Sequence, residues 1–247
     1  MITLTDLSPI EILHGTFTLI FVLFSIFLGI RILLRYFQVK DTSFLLVGLT
    51  WIFMSSGWFG SGFSFLSILL FKNPLDTFTY FFIGNAFIPI AIVCWVWFTI
   101  PMIFPEKRKS IIVIYILIYI LFEILLIIFL IVDYTLVGEI KGIFFFQPSI
   151  FILLFQVFAI LTALVTGILF ARESMRSDKE KIRWKGKLLL LAFILFTVGA
   201  IMDAVFPLNP ILLVIVRSIL IASSVSYYLG FILPKWLEKL LIKEEEI

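Results

Sequence analysis

Two apolar runs decide the fold, and they read LLLLAFILFTVGAIMDAVF at residues 188–206 and ILLVIVRSILIASSVSYYLGFIL at residues 211–233. Each is close to the roughly 20 residues that an α-helix needs to cross the hydrocarbon core of a bilayer. Only the residues PLNP, 207–210, join them. Because the connection is so short, the two helices must be antiparallel neighbours, and the pattern predicts a helical hairpin in a membrane.

The composition of the whole chain extends this prediction to the entire protein. Of 247 residues, 62% are hydrophobic and 14% are charged, and the mean hydropathy is +1.20. Soluble domains carry about 45–50% apolar and about 25% charged residues. The composition therefore excludes an ordinary soluble domain and a disordered chain, and the single cysteine, Cys94, excludes an intrachain disulfide.

Five further apolar runs precede these two. We predict an all-α fold in which a single domain, residues 1–247, forms a polytopic bundle of seven transmembrane helices. The shorter apolar run at 137–146 has too few residues to span, so we expect an interfacial or re-entrant segment there. The predicted spans are residues 12–34, 44–71, 80–104, 111–132, 149–171, 188–206 and 211–233.

The distribution of basic residues predicts how the bundle sits in the membrane. With seven spans, sixteen of the nineteen Lys and Arg residues fall on one side, and only Lys72 and Lys141 fall on the other. Because basic loops stay in the cytoplasm, we expect the N-terminus outside and the C-terminus inside. Frequent Phe, Ile and Lys favour the cell membrane of a microbe. The basic side should also contact the anionic head groups of membrane lipids.

Few ionisable residues lie deep inside the predicted spans, where an unpaired charge is costly. Asp203 lies about one turn from the outer end of span six, and Arg217 lies about two turns from the outer end of span seven. Since the two spans are neighbours, we predict an Asp203–Arg217 ion pair. Glu123, near the middle of span four, is the alternative partner for Arg217. The pair either locks the two spans together or forms part of a ligand site.

Neutral polar residues at a similar depth extend the predicted site. They are His14 and Thr16 in span one, Asn85 in span three and Gln156 in span five. If they converge with the ion pair, they form a cavity open to the outside, which is the default hypothesis for a ligand site. Otherwise each is a hydrogen-bond partner between helices, worth about 0.6 kcal/mol. The predicted ligand-binding residues are Arg217, Asp203, Asn85, Gln156, Glu123 and His14.

Small residues and a proline predict local features of spans two and three. Ser56, Gly60 and Ser64 recur at four-residue spacing, which lets helix backbones approach closely. We predict tight packing inside the bundle, with contact between two copies of the chain, a homo-oligomer, as the alternative. Pro89 cannot donate a backbone hydrogen bond to the carbonyl of Asn85, so we predict a bend at that point.

The chain lacks the residues that most catalytic mechanisms require. His14 is the only histidine, so we expect neither a multi-histidine metal site nor a serine–histidine hydrolase. Span seven has no lysine for a retinal Schiff base, and phosphate-binding glycine motifs are absent. We therefore expect no enzyme activity, no cofactor, no metal ion and no nucleic-acid partner.

The two segments predicted to face the cytoplasm are expected to be helical. The linker at 172–187 mixes acidic and basic residues at helix spacing, which favours helical extensions of spans five and six. The tail at 234–247 is typical of a short amphipathic helix, with Trp236, Leu237, Leu240 and Leu241 on one side.

The stretch from span five through span seven resembles a known family. An Ala-Arg-Glu run at 171–173 leaves span five, the charged linker follows, and LLLLAFILFTVGAIMD then ends at Asp203. This order resembles the seven-helix sensor regions of prokaryotes that often precede histidine kinase or cyclic-dinucleotide domains. The resemblance implies an outward or intramembrane stimulus site and a signal passed through the C-terminal helix. With no output domain after span seven, we expect a separate cytoplasmic partner that contacts the linker at 172–187 and the tail.

Two other functions compete with a sensor that binds a small polar or anionic ligand. The chain resembles, more distantly, the small seven-helix sugar and lysosomal solute carriers with a three-one-three plan. A transporter or channel needs a polar path through both leaflets, and an accessory subunit would use its polar residues only to hold helices together. The candidates for a polar path in the inner half of span seven are Ser223, Ser224, Ser226, Tyr227 and Tyr228.

Overall fold

The computed structural model describes residues 2–206 and 209–242. Within these ranges, seven helical segments are long and apolar enough to cross a membrane, which indicates an integral membrane protein and confirms the helical class. α2 and α3 together form the second segment, and α4 and α5 form the third. The helices are α1 (Pro9–Val39), α2 (Thr42–Met54), α3 (Phe59–Phe71), α4 (Thr77–Asn85), α5 (Ile88–Ile103), α6 (Arg108–Val132), α7 (Ile150–Met175), α8 (Glu180–Val205), α9 (Pro210–Ile232) and α10 (Lys235–Leu241).

Six of the seven segments close into a ring, and the remaining one packs outside it. Around the ring, α1 contacts α2, α2 contacts α5, α5 contacts α7, α7 contacts α8, α8 contacts α9, and α9 contacts α1. α6 lies outside, against α5 and α7. Its contact with α7 uses stacked aromatic rings, with 3.5 Å between the ring centroids of Phe122 and Phe155.

The segments alternate in direction, so the bundle has two distinct ends. One end, which we call the hairpin end, holds the starts of α1, α4, α7 and α9. These four helices are capped by the residues that precede them, each of which accepts a side-chain hydrogen bond from a backbone N–H in the first turn: Ser8, Asp76, Ser149 and Asn209. Such caps stabilise a helix by about 1 kcal/mol each. The other end, which we call the basic end, carries most of the Lys and Arg residues.

Two of the segments are interrupted along their length. A 3-10 turn at Ser55–Trp58 separates α2 from α3, and Ala86 and Phe87 separate α4 from α5. Pro89 lies in the first turn of α5, where its missing N–H leaves the carbonyl of Asn85 without a helical partner. The third segment is therefore interrupted at the point where Pro89 predicted a bend.

The apolar run 137–146, expected to be interfacial or re-entrant, forms most of a β-hairpin between α6 and α7. Strands β1 (Gly138–Lys141) and β2 (Phe145–Pro148) pair in the antiparallel sense. Gly142 lies in the turn with a φ of +63°, which glycine adopts without steric strain. Phe144 is fully buried, so the hairpin folds back onto the helices at this end of the bundle.

The linker at 172–187 is almost entirely helical, as its charge spacing predicted. α7 continues to Met175 and α8 begins at Glu180, so only 176–179 separate the two helices. The predicted helical extensions of spans five and six are therefore confirmed.

The tail forms α10 and folds back toward α8. Nζ of Lys181 lies 2.7 Å from a carboxylate oxygen of Glu238. Leu237 is buried, whereas Trp236 and Leu240 are exposed. The predicted tail helix is therefore confirmed up to Leu241, and residues 243–247 lie outside the described residues.

Helix backbones approach most closely at glycines. A Cβ atom added to Gly60 would lie 2.8 Å from the carbonyl oxygen of Tyr80, in agreement with the tight packing predicted from the small residues of span two. A second close approach, between α1 and α2, was not predicted. There, a Cβ atom on Gly29 would lie 3.0 Å from the carbonyl oxygen of Gly48.

Adding a methyl group at the α1–α2 contact should destabilise the bundle. In Gly48→Ala the new Cβ atom would lie 2.9 Å from the carbonyl oxygen of Gly29 and 2.8 Å from Cβ of Leu33, so the helices must move apart. We expect a loss of about 1–3 kcal/mol in the free energy of unfolding, measured by SDS titration of the purified protein. Gly57→Ala is the control, because its nearest neighbouring atom would be 4.0 Å away. Equal losses in the two variants would contradict the close contact.

Candidate functional site

The predicted ion pair between α8 and α9 is present at the hairpin end. Nη1 of Arg217 donates to Oδ1 of Asp203 over 2.8 Å. The side chain of Arg217 is 1% exposed and that of Asp203 is 18% exposed. A guanidinium this deeply buried would be strongly destabilising without a carboxylate beside it, so Asp203 is needed wherever Arg217 is present.

Side chains from two further segments complete the surroundings of the ion pair. Nε1 of Trp58 donates to Oδ2 of Asp203 over 2.6 Å, and Nε of Arg217 donates to the hydroxyl of Thr18 over 3.0 Å. Nη2 of Arg217 lies 3.4 Å from Nε2 of His14. Because a guanidinium can only donate, Nε2 of His14 must be the acceptor in this contact. The pair is thus held from four segments of the bundle.

One correction concerns the threonine of span one. The sequence pointed to Thr16, but the side chain that accepts from Arg217 is that of Thr18. His14 and Thr18 are four residues apart and so project from the same face of α1 toward the cation. Thr16, two residues from each, does not share that face.

The polar residues of spans three and five contact each other. Nε2 of Gln156 donates to Oδ1 of Asn85 over 3.4 Å. Nδ2 of Asn85 donates to the carbonyl of Phe81, one turn earlier in α4. Asn85 is buried, so its role in this geometry is to orient the amide of Gln156.

A cavity of about 260 Å³ lies beside the ion pair at the hairpin end. We call it the hairpin-end cavity. Four of the six predicted ligand-binding residues line it: Arg217, Asp203, His14 and Gln156. Asn85 stands behind Gln156 and is not part of the lining. The walls come from α1, α7, α8 and α9, from the broken segments α2–α3 and α4–α5, and from the β-hairpin.

The structure does not bring Glu123 to this cavity. Glu123 lies on α6, outside the ring of six segments, and is not among the lining residues. The carboxylate that pairs with Arg217 is that of Asp203 instead. Span four was placed correctly, but its position outside the ring separates its carboxylate from the cation.

The β-hairpin covers the cavity, and hydrogen bonds and aromatic contacts hold it in place. The hydroxyls of Ser61 and Tyr80 both donate to the carbonyl of Phe144, over 2.8 and 2.7 Å. Phe144 and Phe145 pack against His14, with 6.3 and 4.6 Å between ring centroids. The three consecutive aromatic residues at 144–146 were the sequence signal for this element. Their spacing alone did not indicate that they would cover a cavity.

The basic half of the bundle is filled by aromatic side chains. Trp51 stacks on Tyr227 with 4.1 Å between ring centroids, and Nε1 of Trp95 donates to the hydroxyl of Thr166 over 2.8 Å. The hydroxyl of Tyr227 donates to the carbonyl of Val47 over 3.0 Å. The polar atoms of Trp95 and Tyr227 are therefore satisfied within the packed core, whereas Nε1 of Trp51 is buried without a hydrogen-bond partner among the described residues.

The serines proposed for a transport path are also engaged inside the bundle. The hydroxyls of Ser223 and Ser226 donate to carbonyls of their own helix, and Ser224 also lies 3.0 Å from Ser25 on α1. Ser223, Ser224 and Ser226 are all buried. This packing gives no support to a polar path through the basic half.

Within the described residues, no group of three or more His, Cys, Asp or Glu side chains is arranged to hold a metal ion. No protein family, curated protein or solved structure matches the chain.

Proposed function

We propose that this protein is a seven-helix membrane receptor or sensor whose hairpin-end cavity binds a small ligand through a polar or anionic group. The observation that supports this is a buried cation at the wall of a cavity. Arg217 has five N–H bonds, and three of its contacts are with described side chains, those of Thr18, Asp203 and His14. The donors left over can serve a ligand in the cavity.

In this proposal the hairpin end faces the outside of a microbial cell and the basic end faces the cytoplasm. Of the eighteen Lys and Arg residues that the structure describes, fifteen belong to the basic end, and the positive-inside rule assigns such an end to the cytoplasm. The N-terminus is then outside and the C-terminus inside. The ligand would reach the cavity from the outer half of the bundle.

The helices that hold the cavity also make the contacts at the basic end that a partner would sense. α8 and α9 carry Asp203 and Arg217 at one end. At the other end, Nζ of Lys185 on α8 donates to the carbonyl of Phe231 on α9 over 2.8 Å, and Lys181 pairs with Glu238 of α10. A ligand that favours one packing of α8 against α9 would shift the population of the α10 contact. A cytoplasmic partner at the linker 172–187 and the tail would read that shift.

The test is ligand-dependent stabilisation of the purified protein in nanodiscs. The compounds are small carboxylates, phosphates, amino acids and polyols, and the measurement is the midpoint of thermal unfolding. A ligand at about 100 times its Kd adds about 2.7 kcal/mol to the free energy of unfolding. We expect Arg217→Leu to assemble but to lose this stabilisation, and we expect Glu123→Leu to keep it, because Glu123 does not line the cavity.

The same experiment separates the competing functions. Stabilisation that persists in Arg217→Leu would show that the ligand does not use this cation. Flux of the stabilising ligand into liposomes would indicate a transporter instead. Co-purification with a partner protein, without stabilisation by any compound class, would indicate an accessory subunit.

A further inference from the structure

The two helices that wall the hairpin-end cavity are in contact at the basic end and line opposite sides of the cavity at the other. At the basic end, a Cβ atom on Gly186 of α8 would lie 2.8 Å from the carbonyl oxygen of Ala171 on α7. Toward the hairpin end, Gln156 of α7 and Ala200 of α8 both face the cavity. The cavity therefore occupies the space between the hairpin-end halves of α7 and α8.

The edge of this space consists of exposed aliphatic side chains. Leu153 and Val157 of α7 line the cavity and are 36% and 45% exposed. Ile201 and Val205 of α8 line it from the other side and are 50% and 66% exposed. Each pair is spaced by four residues, so each forms one stripe along its helix. In a membrane-spanning bundle these stripes face hydrocarbon, and we call the gap between them the α7–α8 portal.

The size of the cavity suits only part of an elongated ligand. Its volume of about 260 Å³ lies just below the range of about 300–1,000 Å³ that is typical of small-molecule sites. The polar side chains are at the inner end, at Arg217, Asp203 and Gln156, and the aliphatic stripes are at the portal. A compact head group would fill the cavity, and an attached chain would leave through the portal into the bilayer.

The charge of the site favours a head group without net charge. The guanidinium of Arg217 is already paired with the carboxylate of Asp203 at 2.8 Å, so the two charges cancel. A second anion would leave the site with a net negative charge in surroundings of low dielectric, which is unfavourable. A hydroxyl head can accept from Arg217 and donate to Asp203 or to the amide oxygen of Gln156 without adding charge, and an ester carbonyl can accept from Arg217.

These features together assign a ligand class, and the assignment rests on the receptor function proposed above. The geometry points to an uncharged amphiphile whose hydroxyl or ester head binds beside Arg217 and Asp203 and whose aliphatic chain passes between Val157 and Ile201 into the bilayer. The membrane itself would then be the phase from which the ligand enters the site.

The experiment uses a monoacylglycerol that carries a photoreactive diazirine and an alkyne in its acyl chain. The full-length protein is irradiated with this probe in nanodiscs, and the adducts are mapped by mass spectrometry. We expect adducts to concentrate on the portal stripes of α7 and α8 and to be displaced by unlabelled monoacylglycerol. Val157→Trp should block the portal and reduce these adducts several-fold. Val165→Trp is the matched control, because Val165 is also exposed on α7 but does not line the cavity.

Each alternative outcome overturns a stated part of the inference. Adducts spread evenly over the lipid-facing helices, unaffected by Val157→Trp, would exclude the portal. Portal adducts that persist in Arg217→Leu would exclude the bound head group. Stronger labelling by the matching fatty-acid anion would exclude the uncharged head. If water-soluble ligands stabilise the protein through Arg217 equally well in Val157→Trp, the receptor function stands and the portal inference fails.

Discussion

Asp203→Leu is expected to destabilise the protein by about 3–5 kcal/mol, because it leaves the guanidinium of Arg217 buried without a carboxylate. The side chain of Arg217 is only 1% exposed, so hydration compensates for little of this loss. Arg217→Leu should be much less harmful. It leaves a carboxylate that is 18% exposed and that still accepts from Nε1 of Trp58.

The double variant distinguishes a true ion pair from two independent contributions. Asp203→Leu combined with Arg217→Leu removes both charges, and a buried pair replaced by apolar side chains is often neutral or stabilising. We therefore expect the double variant to be more stable than Asp203→Leu alone. The free energy of unfolding is measured by SDS titration of all four proteins. Additive losses from the two substitutions would show that the two side chains do not interact.

The second large effect is expected at the aromatic core of the basic half. Trp95 is fully buried and packs against the rings of Phe98, Phe193 and Tyr227. Trp95→Ala would leave a cavity among them, with an expected loss of about 3–5 kcal/mol. In a membrane this loss comes from missing packing contacts rather than from transfer to water, since lipid is also apolar.

A conservative variant and a control on the same helix sharpen this prediction. Trp95→Phe keeps most of the ring packing and removes only the hydrogen bond to Thr166, so a loss of about 1 kcal/mol is expected. Trp97 lies on the same helix but is 51% exposed, so Trp97→Ala should change the free energy of unfolding by less than about 0.5 kcal/mol. A loss in the free energy of unfolding as large in Trp97→Ala as in Trp95→Ala would contradict the orientation of α5, in which Trp95 faces the core and Trp97 does not.

The spans and the ion pair could be predicted because their signals are local. A run of about 20 apolar residues has few stable alternatives to a membrane helix. The short connection between spans six and seven requires the two helices to be adjacent. Because Asp203 and Arg217 lie at similar depths in these spans, the two side chains could be predicted to pair. Pro89 likewise indicated where span three is interrupted, because a missing backbone donor acts within its own helix.

The other parts of the site depend on contacts that sequence spacing does not specify. Trp58 and Thr18 reach the ion pair only because α1 and the 3-10 turn of span two pack beside α8 and α9. The helix order around the ring also decides that Gln156 lines the cavity and that Glu123 does not. The run at 137–146 is too short to span a membrane, and this much could be predicted. Its packing against Ser61 and Tyr80 is a tertiary contact that the sequence does not specify.

The proposed orientation of the bundle places the hairpin-end cavity at the outside of the cell, and labelling of single cysteines tests this placement. Cys94→Ala removes the native thiol, and Ala204→Cys then places a single thiol at the exposed edge of the cavity. Asp178→Cys places one instead at the basic end, between α7 and α8. With a membrane-impermeant maleimide on intact cells, we expect labelling of Ala204→Cys, and of Asp178→Cys only after lysis. Labelling of Asp178→Cys in intact cells, with Ala204→Cys protected until lysis, would contradict the account.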